Sequence, residues 1–291
     1  MNAWHFVDGI AALADRYRGF VLDQWGVLHD GRQAYPGACE TVRELGRRGK
    51  RLVVLSNSGR RAANSRRRLE GLGFDPADFE RVVTSGEIAW GMLAQPGRLP
   101  FAGPGRRCFL LTNENDRSFV EGLELILVDT VEAADFVLAI GLDSASVTLD
   151  DCRALATALR RCGLPMICSN PDKVAVVPGG TGVAPGALAA LYEEQGGEVL
   201  WIGKPHRPIY DACLALLGGL EPAEIVAIGD SLEHDIKGAN EAGIASCLVQ
   251  HGIHAAELRP GAAPAEQEEG LERLCRRYAA RPDWVVPRLV L

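Results

Sequence analysis

Four short stretches of this chain carry residue types that could do chemistry at a phosphorus or metal centre. The first is Phe20-Val21-Leu22-Asp23, an apolar run ended by one aspartate, with Gly26 three residues on. A carboxylate at a strand end can act as a nucleophile or a metal ligand; it can equally cap a turn. The second, Leu55-Ser56-Asn57-Ser58-Gly59, also ends an apolar run. A hydroxyl and free amides at a helix start suit a phosphate oxygen, and the same residues make an ordinary N-cap. The third, Gly203-Lys204-Pro205, sets an ammonium directly after an apolar run, in a chain whose other lysines are Lys50, Lys173 and Lys237. Such a cation neutralises phosphate and orients a nucleophile, or it is a surface lysine in a loop. The fourth, Ile228-Gly229-Asp230-Ser231-Leu232-Glu233-His234-Asp235, is the most specific. Its two aspartates offer hard oxygen donors, which suit Mg²⁺ because that ion needs few carboxylates and keeps its waters.

Strand-like and helix-like runs alternate around these stretches, so the elements that position them read as βα units. Phe20 to Leu22 precedes an amphipathic helix over 37–48, and Arg51 to Leu55 precedes one over 61–72. Val199 to Ile202 leads to a helix over 209–217, Glu224 to Ile228 to one over 234–242, and Ala245 to Val249 closes the series. That rhythm predicts a mostly parallel sheet with helices on both faces and the four motifs at its C-terminal edge, where such sheets bind ligands. Residues 85–180 repeat the rhythm on a smaller scale. Strand candidates there are Cys108 to Leu111, Leu125 to Val128, Phe136 to Ile140 and Met166 to Cys168, with a helix over 151–161. Gly/Pro-rich borders, Gln95-Pro96-Gly97 to Gly103-Pro104-Gly105 and Pro178-Gly179-Gly180-Thr181-Gly182, mark this region as a second domain inserted into the first. The tail after 257 is polar and ends in Trp284-Val285-Val286-Pro287; its spacing assigns it no role.

Composition narrows the function class. A net charge of −7 gives no basis for a nucleic-acid partner. The arginines at 60, 61 and 66–68 spread over several faces of one helix and read as a solvated surface. Eight scattered cysteines without a Cys-x-x-Cys pair read as reduced, mostly buried thiols of a cytoplasmic protein. Met1-Asn2-Ala3-Trp4-His5 lacks a signal-peptide pattern, and no apolar window is long enough for a membrane span.

Taken together and in this order, the four stretches resemble the motifs of the haloacid-dehalogenase-like (HAD) hydrolases. Asp23-Gln24-Trp25-Gly26-Val27 is similar to the family's Asp-x-Asp-x-Thr/Val, with Trp25 where its phosphatases carry a second aspartate. The insertion, followed by Asn170-Pro171-Asp172 and a Gly-rich return, resembles the class IIA, NagD-like branch, which includes sugar-phosphate, nucleotide and nitrophenyl phosphatases. The resemblance implies a doubly wound, Rossmann-like α/β core from 1–84 plus 181–291 and an inserted α/β cap, 85–180, that selects the substrate. It implies an Mg²⁺-dependent phosphatase acting on a small phosphorylated metabolite through an aspartyl-phosphate. Asp23 would be the nucleophile. Ser56, Asn57 and Lys204 would bind the phosphoryl group. Asp23, Asp230 and the Trp25 carbonyl would hold Mg²⁺, with Asp235 supporting the site. It also implies a possible cap-mediated homodimer. Since an indole N–H keeps its proton at neutral pH, His29 and Asp30 are the next candidates for the missing acid. A non-catalytic binder of a phosphorylated metabolite and a hydrolase of carbon–phosphorus bonds are the alternatives.

Overall fold

The computed structural model describes residues 4–95, 99, 105–114, 116–177 and 180–291. The Gly/Pro borders at 96–97, 103–104 and 178–179, and the first three residues, lie outside that set. The chain divides into two compact units, Met1–Ser56 with Ala63–Val83 and Lys204–Leu291, and Asn57–Ala62 with Thr84–Gly203.

The first unit is built on a seven-stranded sheet. Its order is His5–Phe6, Trp284–Val286, Ala245–Val249, Ile225–Gly229, Gly19–Asp23, Arg51–Ser56, Arg81–Thr84. Gly19–Asp23 pairs in parallel with Arg51–Ser56 on one side and with Ile225–Gly229 on the other. The chain therefore winds outward one way early in the sequence and the other way late. The order reverses between Gly19–Asp23 and Ile225–Gly229, the position where α/β sheets open a crevice at their strand ends. Gly19–Asp23 and Ile225–Gly229 are buried at every residue, because helices cover a parallel sheet on both faces, and this is why the runs read as continuously apolar. Phe20, Leu22, Val54, Val226, Ile228, Cys247 and Val249 meet in one cluster. Fully burying each such side chain is worth roughly 1.5–3 kcal/mol.

The second unit has its own five-stranded sheet, ordered Val199–Trp201, Met166–Cys168, Phe136–Ala139, Arg107–Leu111, Ile126–Leu127, with every pair parallel. Alternation splits its core in two. Val137 and Ala139 pack with Ala156, Leu159 and Leu188 from the helices Leu149–Cys162 and Pro185–Glu194. Phe136 and Leu138 join Ala89 and Leu93 of the helix Ser85–Leu93 instead. Leu149–Cys162 is framed by a Thr148/Asp151 capping box and by Gly163 in the left-handed region, which accounts for its clear sequence signature.

Here the structure corrects two expectations. Val199–Trp201 does not belong to the main sheet; it pairs with Met166–Cys168, Leu200 opposite Ile167. The border accordingly falls at Gly203/Lys204 and not at 180/181. The tail has a defined place as well. The helix Pro264–Tyr278 buries Leu271 and Leu274 against Leu232, Ile236 and Leu248, and Trp284–Val286 fills the sheet between Ala245–Val249 and His5–Phe6. The eight cysteines are free thiols, five of them buried. No helix among the described residues is long and apolar enough to cross a membrane.

Candidate active site

Two adjacent strand ends deliver the acids. Asp23 is the last residue of Gly19–Asp23, and Ile228 of the neighbouring strand lies opposite Leu22, so Gly229 ends that strand and Asp230 leaves the sheet beside Asp23. The chain then makes a wide π-helical turn, Leu232–Ile236, in which Ile236 N donates to Ser231 O at 3.1 Å and the Ser231 hydroxyl accepts from His234 N. Such turns gather at functional sites because the extra residue re-aims a side chain. Here it brings Asp235 back over the strand end, and a Cβ at Gly229 would overlap the Asp235 carboxylate. Carboxylate oxygens of Asp23, Asp230 and Asp235 thus lie within 4.8 Å of one another. Lys204 Nζ sits 2.6 Å from Asp23 Oδ1 and 2.7 Å from Asp235 Oδ1. All four side chains are buried.

The electrostatics describe an incompletely neutralised cluster. Burial, then the Asp235 charge, raises Asp23 well above the usual carboxylate range against the opposing pull of Lys204. Burial and Asp235 push Asp230 up to about 7. Burial alone would depress Lys204, but Asp23 and Asp235 override it and hold the ammonium well above its ordinary value. Fully ionised, three carboxylates facing one ammonium would leave two negative charges in a buried site, which is why Asp23 and Asp230 hold their protons more tightly than usual. A divalent cation restores the balance, and hard oxygen donors are the right chemistry for one.

Family models for haloacid dehalogenase-like hydrolase and HAD-hydrolase-like match residues 20–126 and 201–290, which include all four of these side chains. A crystal structure of a haloacid dehalogenase-like hydrolase from Brucella suis superposes with a TM-score of 0.79 at 30% identity, covering 98% of this chain and 100% of that one. The chain belongs to the haloacid dehalogenase-like hydrolases. It is also 31% identical to the D-glycerol 3-phosphate phosphatase of Mycobacterium tuberculosis, over 84% of this chain and 66% of that protein. To the 5'-nucleotidase YutF of Bacillus subtilis it is 29% identical, over 81% of this chain and 88% of that one.

Within this HAD hydrolase the other residues read from the sequence are placed as follows. Ser56 ends the strand Arg51–Ser56, one residue past Leu55, which lies opposite Asp23; it is buried at the same sheet edge. Asn57 opens the second unit, where its Nδ2 donates to Asp172 Oδ1 at 2.8 Å. Trp25 leaves the sheet with its side chain 50% exposed. Its ring stands edge-on to His29 at 5.1 Å, with the Arg68 guanidinium 5.4 Å away. Gly31 lies so close beneath the ring that a Cβ would overlap it. Asp30 is engaged in the turn, where its Oδ1 accepts from Arg32 N and Gln33 N at 2.8 Å.

His29 is fully buried, and its Nδ1 accepts from Gly31 N at 3.0 Å. That bond places the proton on Nε2, which has no partner among the described residues. Burial, then the Arg68 charge, lowers its pKa from 6.5 to about 4. The unfolded chain therefore binds a proton that the folded one refuses between about pH 6.5 and 4. The neutral imidazole's stabilisation is complete above 6.5, declines as pH falls, and is gone below about 4. Two and a half units correspond to about 3 kcal/mol. Denaturant unfolding at pH 7 and pH 5 checks this: His29→Gln flattens the difference, whereas an equal pH slope in both proteins removes His29 as its source.

Sequence reading missed Tyr210 and the loop at Gly252. Tyr210 is buried with its hydroxyl donating to Asp235 O at 3.0 Å, which anchors the π turn. Ile253 N donates to Asp230 Oδ2 at 2.8 Å. Only a glycine shortly after an apolar run, the signal that marks Asp23 and Gly26, points to that loop in the sequence.

Proposed function

We propose that this HAD hydrolase is an Mg²⁺-dependent phosphatase of small phosphorylated metabolites, with Asp23 as nucleophile. The observation that carries it is Lys204 Nζ bridging Asp23 and Asp235 beside Asp230, at the point where the sheet's strand order reverses. The substrate class follows the relatives, which are named for glycerol phosphate and nucleotide hydrolysis.

Asp23 attacks phosphorus in line, a new P–O bond forms to its carboxylate, and the ester P–O bond breaks with its electron pair leaving on the alcohol oxygen. Water then attacks the aspartyl-phosphate, returning Asp23 and releasing inorganic phosphate. Lys204 neutralises the phosphoryl oxygens and pulls Asp23 towards its ionised, nucleophilic form against burial and Asp235. Ser56 and Asn57 bind the phosphoryl group. Asp235 holds Lys204, and is itself held by Tyr210 and by Ser231 N, which donates to its Oδ2 at 3.1 Å. Asp23, Asp230 and the Trp25 carbonyl would hold the ion, which when bound would supply the positive charge that the carboxylates and the phosphate both require. The indole of Trp25 supplies no proton to the leaving oxygen. Asp30 is committed to the turn and the Nε2–H of His29 is fully buried, so leaving groups stable as anions go fastest. Substrate choice belongs to the second unit, and the reduced thiols suit a cytoplasmic location.

A panel of sugar phosphates, nucleotides, nitrophenyl phosphate and acyl phosphates, assayed with and without Mg²⁺, tests the proposal. Phosphate release that needs the ion and is lost in Asp230→Asn supports it. Release that is indifferent to the ion overturns the metal assignment.

A further inference from the structure

Asp230 is held from three sides by backbone. Ile253 N donates to its Oδ2 at 2.8 Å. Gly26, from the loop after Asp23, and Gly252, from the loop after the strand Ala245–Val249, both lie against the carboxylate, and a Cβ on either would overlap Oδ2. Gly26 also needs its positive φ of 80°, whereas Gly252 does not lie in the left-handed region. At 252 the absence of a side chain therefore serves proximity to Asp230 and nothing in the backbone itself.

The remaining oxygens of the cluster are just as constrained. Lys204 occupies Asp23 Oδ1 and Asp235 Oδ1, and Ser231 N occupies Asp235 Oδ2. With Ile253 N on Asp230 Oδ2, Asp23 Oδ2 and Asp230 Oδ1 are the carboxylate oxygens of the cluster without a hydrogen bond among the described residues. Each ligating aspartate thus has one oxygen to give.

We propose that Gly252 and the Ile253 N–H are positioning groups that hold Asp230 to single-oxygen coordination and thereby set the preference of the site for a small cation. The inference rests on the metal reading above. Mg²⁺ takes near-octahedral, one-oxygen-per-carboxylate ligands at about 2.0–2.1 Å, whereas Ca²⁺ accepts six to eight ligands at about 2.3–2.6 Å and uses bidentate carboxylates readily. An Asp230 pinned through Oδ2 cannot swing to offer both oxygens. A side chain at 252 displaces the carboxylate from Ile253 N and frees it to do so. Ile253 acts through its backbone alone: its side chain is 70% exposed.

Calorimetric titration of the full chain with Mg²⁺ and, separately, Ca²⁺ tests this without turnover. Gly252→Ala is expected to raise the Mg²⁺ dissociation constant about 10–100-fold, the usual cost of removing a group that orients a ligand. The Ca²⁺ constant rises less, so the preference moves towards Ca²⁺. Ile253→Ala, which keeps the N–H, leaves both constants unchanged. If Gly252→Ala fails to fold by thermal melt, Ile253→Pro removes the donor without crowding the carboxylate and is expected to shift the preference the same way. Wild-type affinities in Gly252→Ala, or equal losses for both ions, overturn the clamp. A wild type that binds neither ion overturns the metal reading on which it rests.

Discussion

Asp23→Asn abolishes turnover and, in the absence of divalent ions, raises the melting temperature. Both halves follow from one geometry. An amide cannot form the aspartyl-phosphate, so the chemical step is lost by on the order of 10⁴-fold or more, as expected when a nucleophile is removed. In chelator the same carboxylate is a burden on the fold: burial and Asp235 hold its pKa well above the ordinary value in spite of Lys204. Replacing it with a neutral isostere leaves Lys204 paired with Asp235 at 2.7 Å and relieves one buried negative charge. Single-turnover phosphate release and thermal melts in chelator read the two effects. Residual turnover near wild type moves the nucleophile elsewhere. A large fall in melting temperature shows that the Asp23–Lys204 pair is worth more to the fold than its desolvation costs.

Trp25→Asp gains most on the substrates that wild type handles worst. A carboxylic acid at this position can protonate a departing alkoxide, a contribution typically of about 10²–10⁴-fold, and sugar phosphates need it far more than nitrophenyl phosphate does. The expected signature is a change in the ratio of kcat/KM between the two substrates, with the sugar phosphate rising. The substitution also strips the indole from Gly31, His29 and Arg68, so a melt accompanies the assay. A uniform loss, with wild type already fast on sugar phosphates, places the acid on another residue. Tight binding of a phosphorylated metabolite with no turnover by wild type removes the phosphatase reading altogether.

Much of this site is written in local runs. Phe20 to Asp23 and Ile225 to Asp230 are apolar stretches long enough to demand burial on both faces, and each can end in an acid only where the sheet stops. Their order and the placement of Asp23, Ser56 and Asp230 at strand ends are legible for that reason. The run before Lys204 was not. Val199–Trp201 is three residues long, and nothing in so short an apolar run tells which sheet will take it. Its partner Met166–Cys168 is distant in sequence, and pairing energy at that range is settled by what else is being buried. The edge strand His5–Phe6 escaped for the same reason, since its one partner, Trp284–Val286, lies at the far end of the chain. The grip on Asp230 is less legible still. A backbone N–H has no residue type, and a glycine at 252 looks like any turn. Its meaning arises only when the loop after one strand is folded against the acid at the end of another, a contact between residues 22 positions apart for Gly252 and 23 for Ile253.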